Sequence, residues 1–176
     1  ASGSAGGAYN TAIGYRAGLS MTTAINNTIV GAEAGDAITT GGYSVYVGKK
    51  AGSALTTGAN NTVIGVEAGE TGNFDSCVAV GNGALGRISG SYNVAIGYAA
   101  MSSGGGTIGA DRNVAIGYQA GLALTAADQS EPNVIIGHKA LSDGTTASGN
   151  VAIGEDALTT NVAGNLNIAI GRHSLY

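Results

Sequence analysis

The chain has 176 residues and a mass of 17.0 kDa, the size of about one domain, with a net charge of −4. Glycine fills 32 positions, only 10 % of residues are charged, and there is one Pro, one Phe and no Trp. At 44 % hydrophobic the chain is too apolar for disorder. It also lacks the every-third glycine of collagen, the helix-forming composition of a bundle and the ~20-residue apolar run of a membrane span.

In chain order, residues 1–9 read as a linker from a preceding segment. Ala1 to Ala8 are mostly small, and the absence of an initiator Met or signal peptide predicts a mature fragment of something longer. Residues 10–176 read as one repeat domain. A pattern of the form N-x-x-[IV]-G-x-x-[AS] recurs ten times, with glycines at Gly14, Gly31, Gly48, Gly65, Gly81, Gly97, Gly117, Gly137, Gly154 and Gly171. The intervals are 17, 17, 17, 16, 16, 20, 20, 17 and 17 residues. A fixed period of this length marks a solenoid.

The residue before each glycine is Ile or Val, and the residue two further back is Thr, Val or Ile. Both columns are β-branched and predict a short strand ending at each glycine. The column between them is Ala12, Ile29, Tyr46, Val63, Ala79, Ala95, Ala115, Ile135, Ala152 and Ala169. Side chains alternate along a strand, so this column faces away from its neighbours. The expectation is that the column of Val80 lines the interior and the column of Ala95 faces out. The outward column would then leave a continuous apolar stripe, hidden by self-association about an axis parallel to the rod.

Four residues before the glycine stands Asn in eight repeats, replaced by Ser44 and Cys77 in the others. Asn suits a turn and can stack into an amide ladder. The recurrent glycine fits a corner with positive φ or close backbone approach. Beyond it, segments such as Ala54-Leu55-Thr56-Thr57-Gly58 predict a second strand. Ten coils at ~4.8 Å make a rod roughly 45–50 Å long. Two residues after the glycine, Arg16, Glu33, Lys50 and Glu67 alternate in sign, as do Lys139, Asp156 and a charged His173. Opposite charges on adjacent coils support in-register stacking.

The runs Asn93 to Ala100 and Asn113 to Ala120, N-V-A-I-G-Y-x-A, resemble the head repeat of YadA-like trimeric autotransporter adhesins, which also occurs in phage tail fibres and spikes. The likeness extends from Asn10 to Leu175. It implies an all-β fold, a left-handed parallel β-roll or β-solenoid of about ten coils, assembled as a homotrimer. It implies a virion or extracellular location and an adhesive or host-recognition role. The repeats depart from the family by being longer and often containing T-T-G, and the neck, stalk and anchor are not part of this sequence. The middle column, Ala12 to Ala169, is the expected trimer interface.

No catalytic motif is present, and an enzyme is not expected. Seven dispersed Lys and Arg make no basic stripe, so no nucleic-acid partner is expected, and no membrane insertion. Cys77 is the only cysteine and cannot form an intramolecular disulfide or a zinc knuckle. His138 and His173 read as exposed members of variable columns, and Glu155 and Asp156 lack evident further oxygen ligands, so no metal or cofactor is expected. Paired threonines such as Thr39-Thr40 point to opposite faces, unlike the T-x-T of an ice-binding array. Candidate receptor contacts are Tyr15, Tyr98 and Tyr118, which share the column just after the glycine. Ser103, Thr107 and Gln129 join them, within the insertions of the two 20-residue repeats, Ser102 to Arg112 and Thr125 to Pro132. The expected function is a structural and adhesive fibre segment that contacts a host glycan or protein receptor. The alternatives are a polysaccharide-degrading spike and a purely structural filament.

Overall fold

The computed structural model describes residues 8–102, 109–124 and 132–176. Each motif forms one three-residue strand: β1 (Thr11–Ile13), β2 (Thr28–Val30), β3 (Val45–Val47), β4 (Thr62–Ile64), β5 (Val78–Val80), β6 (Val94–Ile96), β7 (Val114–Ile116), β8 (Val134–Ile136), β9 (Val151–Ile153) and β10 (Ile168–Ile170). They make one parallel ten-stranded sheet whose order is the order of the sequence. The fold is a β-solenoid of about nine turns, as the repeat predicts. Every motif pairs with its own counterpart: Ala12 opposite Ile29, Ile29 opposite Tyr46, Ala95 opposite Ala115.

The expected second strand is absent among the described residues. The chain after each glycine runs through consecutive turns instead. Two residues past the corner, Arg16, Glu33, Lys50 and Glu67 all have φ between 55° and 58°. Two residues further, Gly18, Gly35, Gly52 and Gly69 are again left-handed. Left-handed residues two apart cannot extend into a strand. Hydrogen bonding between coils continues regardless. The Glu33 N–H donates to the Tyr15 carbonyl at 2.7 Å and the Gly35 N–H to the Ala51 carbonyl at 2.9 Å.

The inside and outside of the strand are reversed relative to expectation. The middle column, Ile29, Tyr46, Val63, Ala79, Ala95, Ala115, Ile135, Ala152 and Ala169, is buried within a single chain, and Ala12 in the first coil is partly buried. A second inward column, three residues after the glycine, runs from Ala17 and Ala34 to Ala140 and Ala157. These residues fill the lumen and are not an outer seam. The β-branched columns of Val78 and Val80 face out instead, half-buried or exposed along the whole sheet.

Lumen volume is balanced within most coils and otherwise between neighbours: beside Gly18 and Gly121, whose own middle residues are Ala12 and Ala115, lie Ile29 and Ile135 of the next coil. Where the fourth residue after the corner is Gly35, Gly52 or Gly69, the middle residue is Ile29, Tyr46 or Val63. Where it is Leu85, Met101 or Leu158, the middle residue is Ala79, Ala95 or Ala152. A methyl on Gly52 would run into the Tyr46 ring. Native packing density tolerates neither the gap nor the overlap.

Two contacts fix the rise of the coil. At the corner the motif glycines stack on one another. A Cβ on Gly97, at φ 131°, would overlap the carbonyl oxygen of Gly117, and the same relation repeats from Gly14 to Gly154. Inside, the Asn column forms the anticipated ladder. Asn10 Oδ1 accepts the Asn27 N–H at 2.9 Å, Asn93 Oδ1 the Asn113 N–H at 2.8 Å, and Asn150 Oδ1 the Asn167 N–H at 2.9 Å. Ser44 Oγ and Cys77 Sγ take over the acceptor role, binding the N–H groups of Asn61 at 3.0 Å and Asn93 at 3.3 Å.

Gly97→Ala should destabilise the rod by at least about 2 kcal/mol, combining backbone strain with overlap. Gly171→Ala, at φ 121° with nothing within reach of a Cβ, should carry the strain alone. Thermal unfolding of the two variants checks the difference. The buried Tyr46 hydroxyl lies near Ser44 and Asn61 without completing a well-formed hydrogen bond, and burial raises its pKa, partly offset by those two neighbours. Tyr46→Phe should leave stability unchanged or raise it by about 1 kcal/mol, measured by denaturant titration.

Candidate functional site

The corner after each glycine displays one outward side chain per coil. Because the coils are in register, these side chains form a column: Tyr98, Tyr118, His138, Glu155 and Arg172 occupy successive coils. Tyr98 and Tyr118 stack with ring centroids 5.3 Å apart and planes 10° from parallel. Tyr118 and His138 continue the stack at 5.2 Å and 10°. The strand spacing of ~4.8 Å places the rings at stacking distance without further adjustment.

Of the candidate receptor residues, Tyr98 and Tyr118 are brought together, and both are about half exposed. Tyr15 is exposed but lies five coils away, beside Ala32 in its column. Ser103, Thr107 and Gln129 lie outside the described residues. Stacking covers the Tyr98 face that meets Tyr118. On the side of the preceding coils lies a shallow pocket of about 200 Å³, lined by Tyr98, Asn82, Arg87, Glu67, Glu70 and Ser102.

The stack ends in a group that sequence reading did not assemble. One donor atom each of His138, Glu155 and Asp156 lie within 4.8 Å of one another. Glu155 follows His138 in the column by one coil, and the Asp156 N–H donates to the His138 carbonyl at 2.9 Å. The signal was available: His138 and Glu155 each directly follow a motif glycine, and in-register stacking makes them neighbours. The Arg172 Nε lies 3.4 Å from Glu155 Oε2. His173 follows Asp156 in its column by one coil, donates its N–H to the Glu155 carbonyl at 2.9 Å and sits edge-on to Tyr176 at 5.3 Å.

Charges at the corner partly follow the expected alternation. Glu33 and Glu67 both favour the charged form of Lys50, after the dominant Glu70. The close contacts, however, go to acidic residues later in the next coil: Lys50 to Glu70 at 3.4 Å and Arg16 to Asp36 at 3.9 Å. Such exposed pairs are weak. The threonine hydroxyls on the far side are engaged, Thr22 donating to the Thr39 carbonyl and Thr39 to the Thr56 carbonyl. Among the described residues no helix is long and apolar enough to cross a membrane.

Cys77 is buried and unpaired. Burial pushes its thiol up to about 11, so it is protonated at neutral pH and a poor nucleophile. Its S–H sits 3.6 Å from the Gly90 carbonyl, the place where Asn61 Nδ2 meets the Phe74 carbonyl one coil earlier.

No protein-family model, curated protein or solved structure matches the chain.

Cys77→Asn restores the amide at its place in the ladder and should stabilise the rod by about 1 kcal/mol. The advantage should widen between pH 9 and 11. There the unfolded thiol ionises while the folded one does not, so wild type loses stability as pH rises. Melting temperatures of both proteins across that range provide the check.

Proposed function

We propose that this chain is a rigid, non-enzymatic segment of a homotrimeric fibre, wound left-handed, that spaces or attaches at a host or cell surface. The observation that carries the proposal is the outer face of the sheet. Two columns of Thr, Val and Ile run the length of the rod, with Ile64 and Ile96 over a third exposed even in its middle. Tyr9, Tyr43 and Tyr92 flank them, all exposed. A face this long, flat and apolar marks an interaction surface.

Sister copies are the fitting partner. Each coil offers the same side chains at the same rise, so parallel rods match contact for contact, and a rotation about a common axis closes the assembly. The seam proposed is therefore the outer pair of columns, replacing the middle column anticipated from sequence. The likeness of N-V-A-I-G-Y-x-A to trimeric adhesin and phage-fibre repeats supports the number three, the left-handed winding and a virion or extracellular setting. Receptor contact, to a glycan or a protein, is assigned to the corner column with Tyr98 and Tyr118, and to Tyr15 near the other end.

Two substitutions separate seam from core. Ile96→Arg, on the outer face, should leave circular dichroism unchanged and abolish the trimer in light scattering coupled to size exclusion. Ala95→Arg, buried in the lumen, should unfold the chain itself, because a charge cannot be accommodated there. A wild-type monomer, or a trimer that survives Ile96→Arg, would rule the proposed seam out.

A further inference from the structure

We propose that His138, Glu155 and Asp156 form a binding site for a divalent transition-metal ion of the zinc type, joining the eighth coil to the ninth. One imidazole nitrogen and two carboxylates are a donor set suited to Zn²⁺, Ni²⁺ or Co²⁺, whereas Mg²⁺ and Ca²⁺ favour oxygen alone. The donor atoms lie within 4.8 Å of one another. Tetrahedral coordination at ~2.1 Å requires roughly 3.4 Å. Glu155 and His138 are exposed side chains on adjacent coils, so closing that gap needs only side-chain rotation.

Two features of the fold prepare the site. The His138 ring is held parallel to Tyr118 at 5.2 Å, which fixes its plane and removes rotamer freedom that binding would otherwise have to restrain. The left-handed backbone at Asp156, φ 53°, turns its carboxylate into the same group as the Glu155 carboxylate rather than to the opposite face of the chain. One group competes. The Arg172 guanidinium, 3.4 Å from Glu155, must release that carboxylate before it binds a cation. Three ligands leave the remaining coordination positions open, as in sites that accept water or an outside donor.

The test is calorimetric titration of Zn²⁺ into the full chain, with imidazole nitrogen chemical shifts recorded in parallel. One ion per chain is expected, with the His138 resonances shifting far more than those of the neighbouring His173. Partners that only orient a ligand are worth about 10–100-fold in affinity, so losing a ligand costs at least that. His138→Ala and Asp156→Asn should each weaken binding tenfold or more, and His173→Ala should not. Arg172→Ala should tighten binding severalfold by freeing Glu155, an effect no merely structural role would produce. All four side chains are on the surface, so circular dichroism should be unchanged. Zinc bound equally well by His138→Ala, or none bound by wild type at millimolar concentration, would overturn the proposal.

Discussion

A backbone N–H that turns into the lumen of a rod this narrow is cut off from solvent, and the asparagine column supplies its acceptor. Each side-chain oxygen takes the N–H of its counterpart one coil on. An unmet buried N–H would cost about as much as a typical point mutation, and the coils repeat the bond nine times. The bond fixes more than energy. It is made only when equivalent residues lie one above another, so it sets the register of the parallel sheet and of everything displayed on its corners. The glycine stack imposes the same alignment from the outside of the turn, by leaving no room for a side chain. Ser44 and Cys77 show what the position requires, which is an acceptor of short reach rather than an amide as such.

The architecture was legible because repetition makes every column a sample of ten. Period, strand position, parallel pairing and the corner glycines all follow from the columns. The side of the strand that faces inward was not legible from apolarity, since all three columns are apolar. Finer signals did exist. Asn10 and Ala12 are two residues apart and share a side, so a buried ladder places the middle column inside with it. Thr11, Thr28 and Thr62 stand in the outward column, where hydroxyls reach solvent. The missing second strand has a comparable cause. Non-glycine residues such as Arg16 and Glu33 adopt left-handed φ, which no local propensity for Arg or Glu announces. The cluster at His138 was legible only by carrying the register across coils: His138 and Glu155 are 17 positions apart, and each directly follows a motif glycine.

Inside and outside of the rod obey different rules. The lumen tolerates exchange between positions, Tyr46 against Gly52 or Ala95 against Met101 within a coil, and Gly121 against Ile135 between neighbouring coils. The outer face keeps to Thr, Val and Ile in every coil. Packing within one chain explains the first pattern and not the second, because an outward Val gains little from its own coil. Uniformity on that face is what matching a partner along the full length requires. The fold of one chain and the assembly of several are thus carried by different side chains, and substitutions can separate them.

Coils of 16, 17 and 20 residues all pair in the same register, Val78 with Val94 and Val94 with Val114 alike. Strand pairing is therefore independent of coil length, and with it the ~4.8 Å spacing of neighbouring strands. Reach along the axis thus depends on how many repeats are strung together, in increments of ~4.8 Å. The number of residues in a coil can vary from 16 to 20 without altering that reach. A molecule built this way can be re-tipped and re-measured independently, like a ruler whose markings are cut separately from its length.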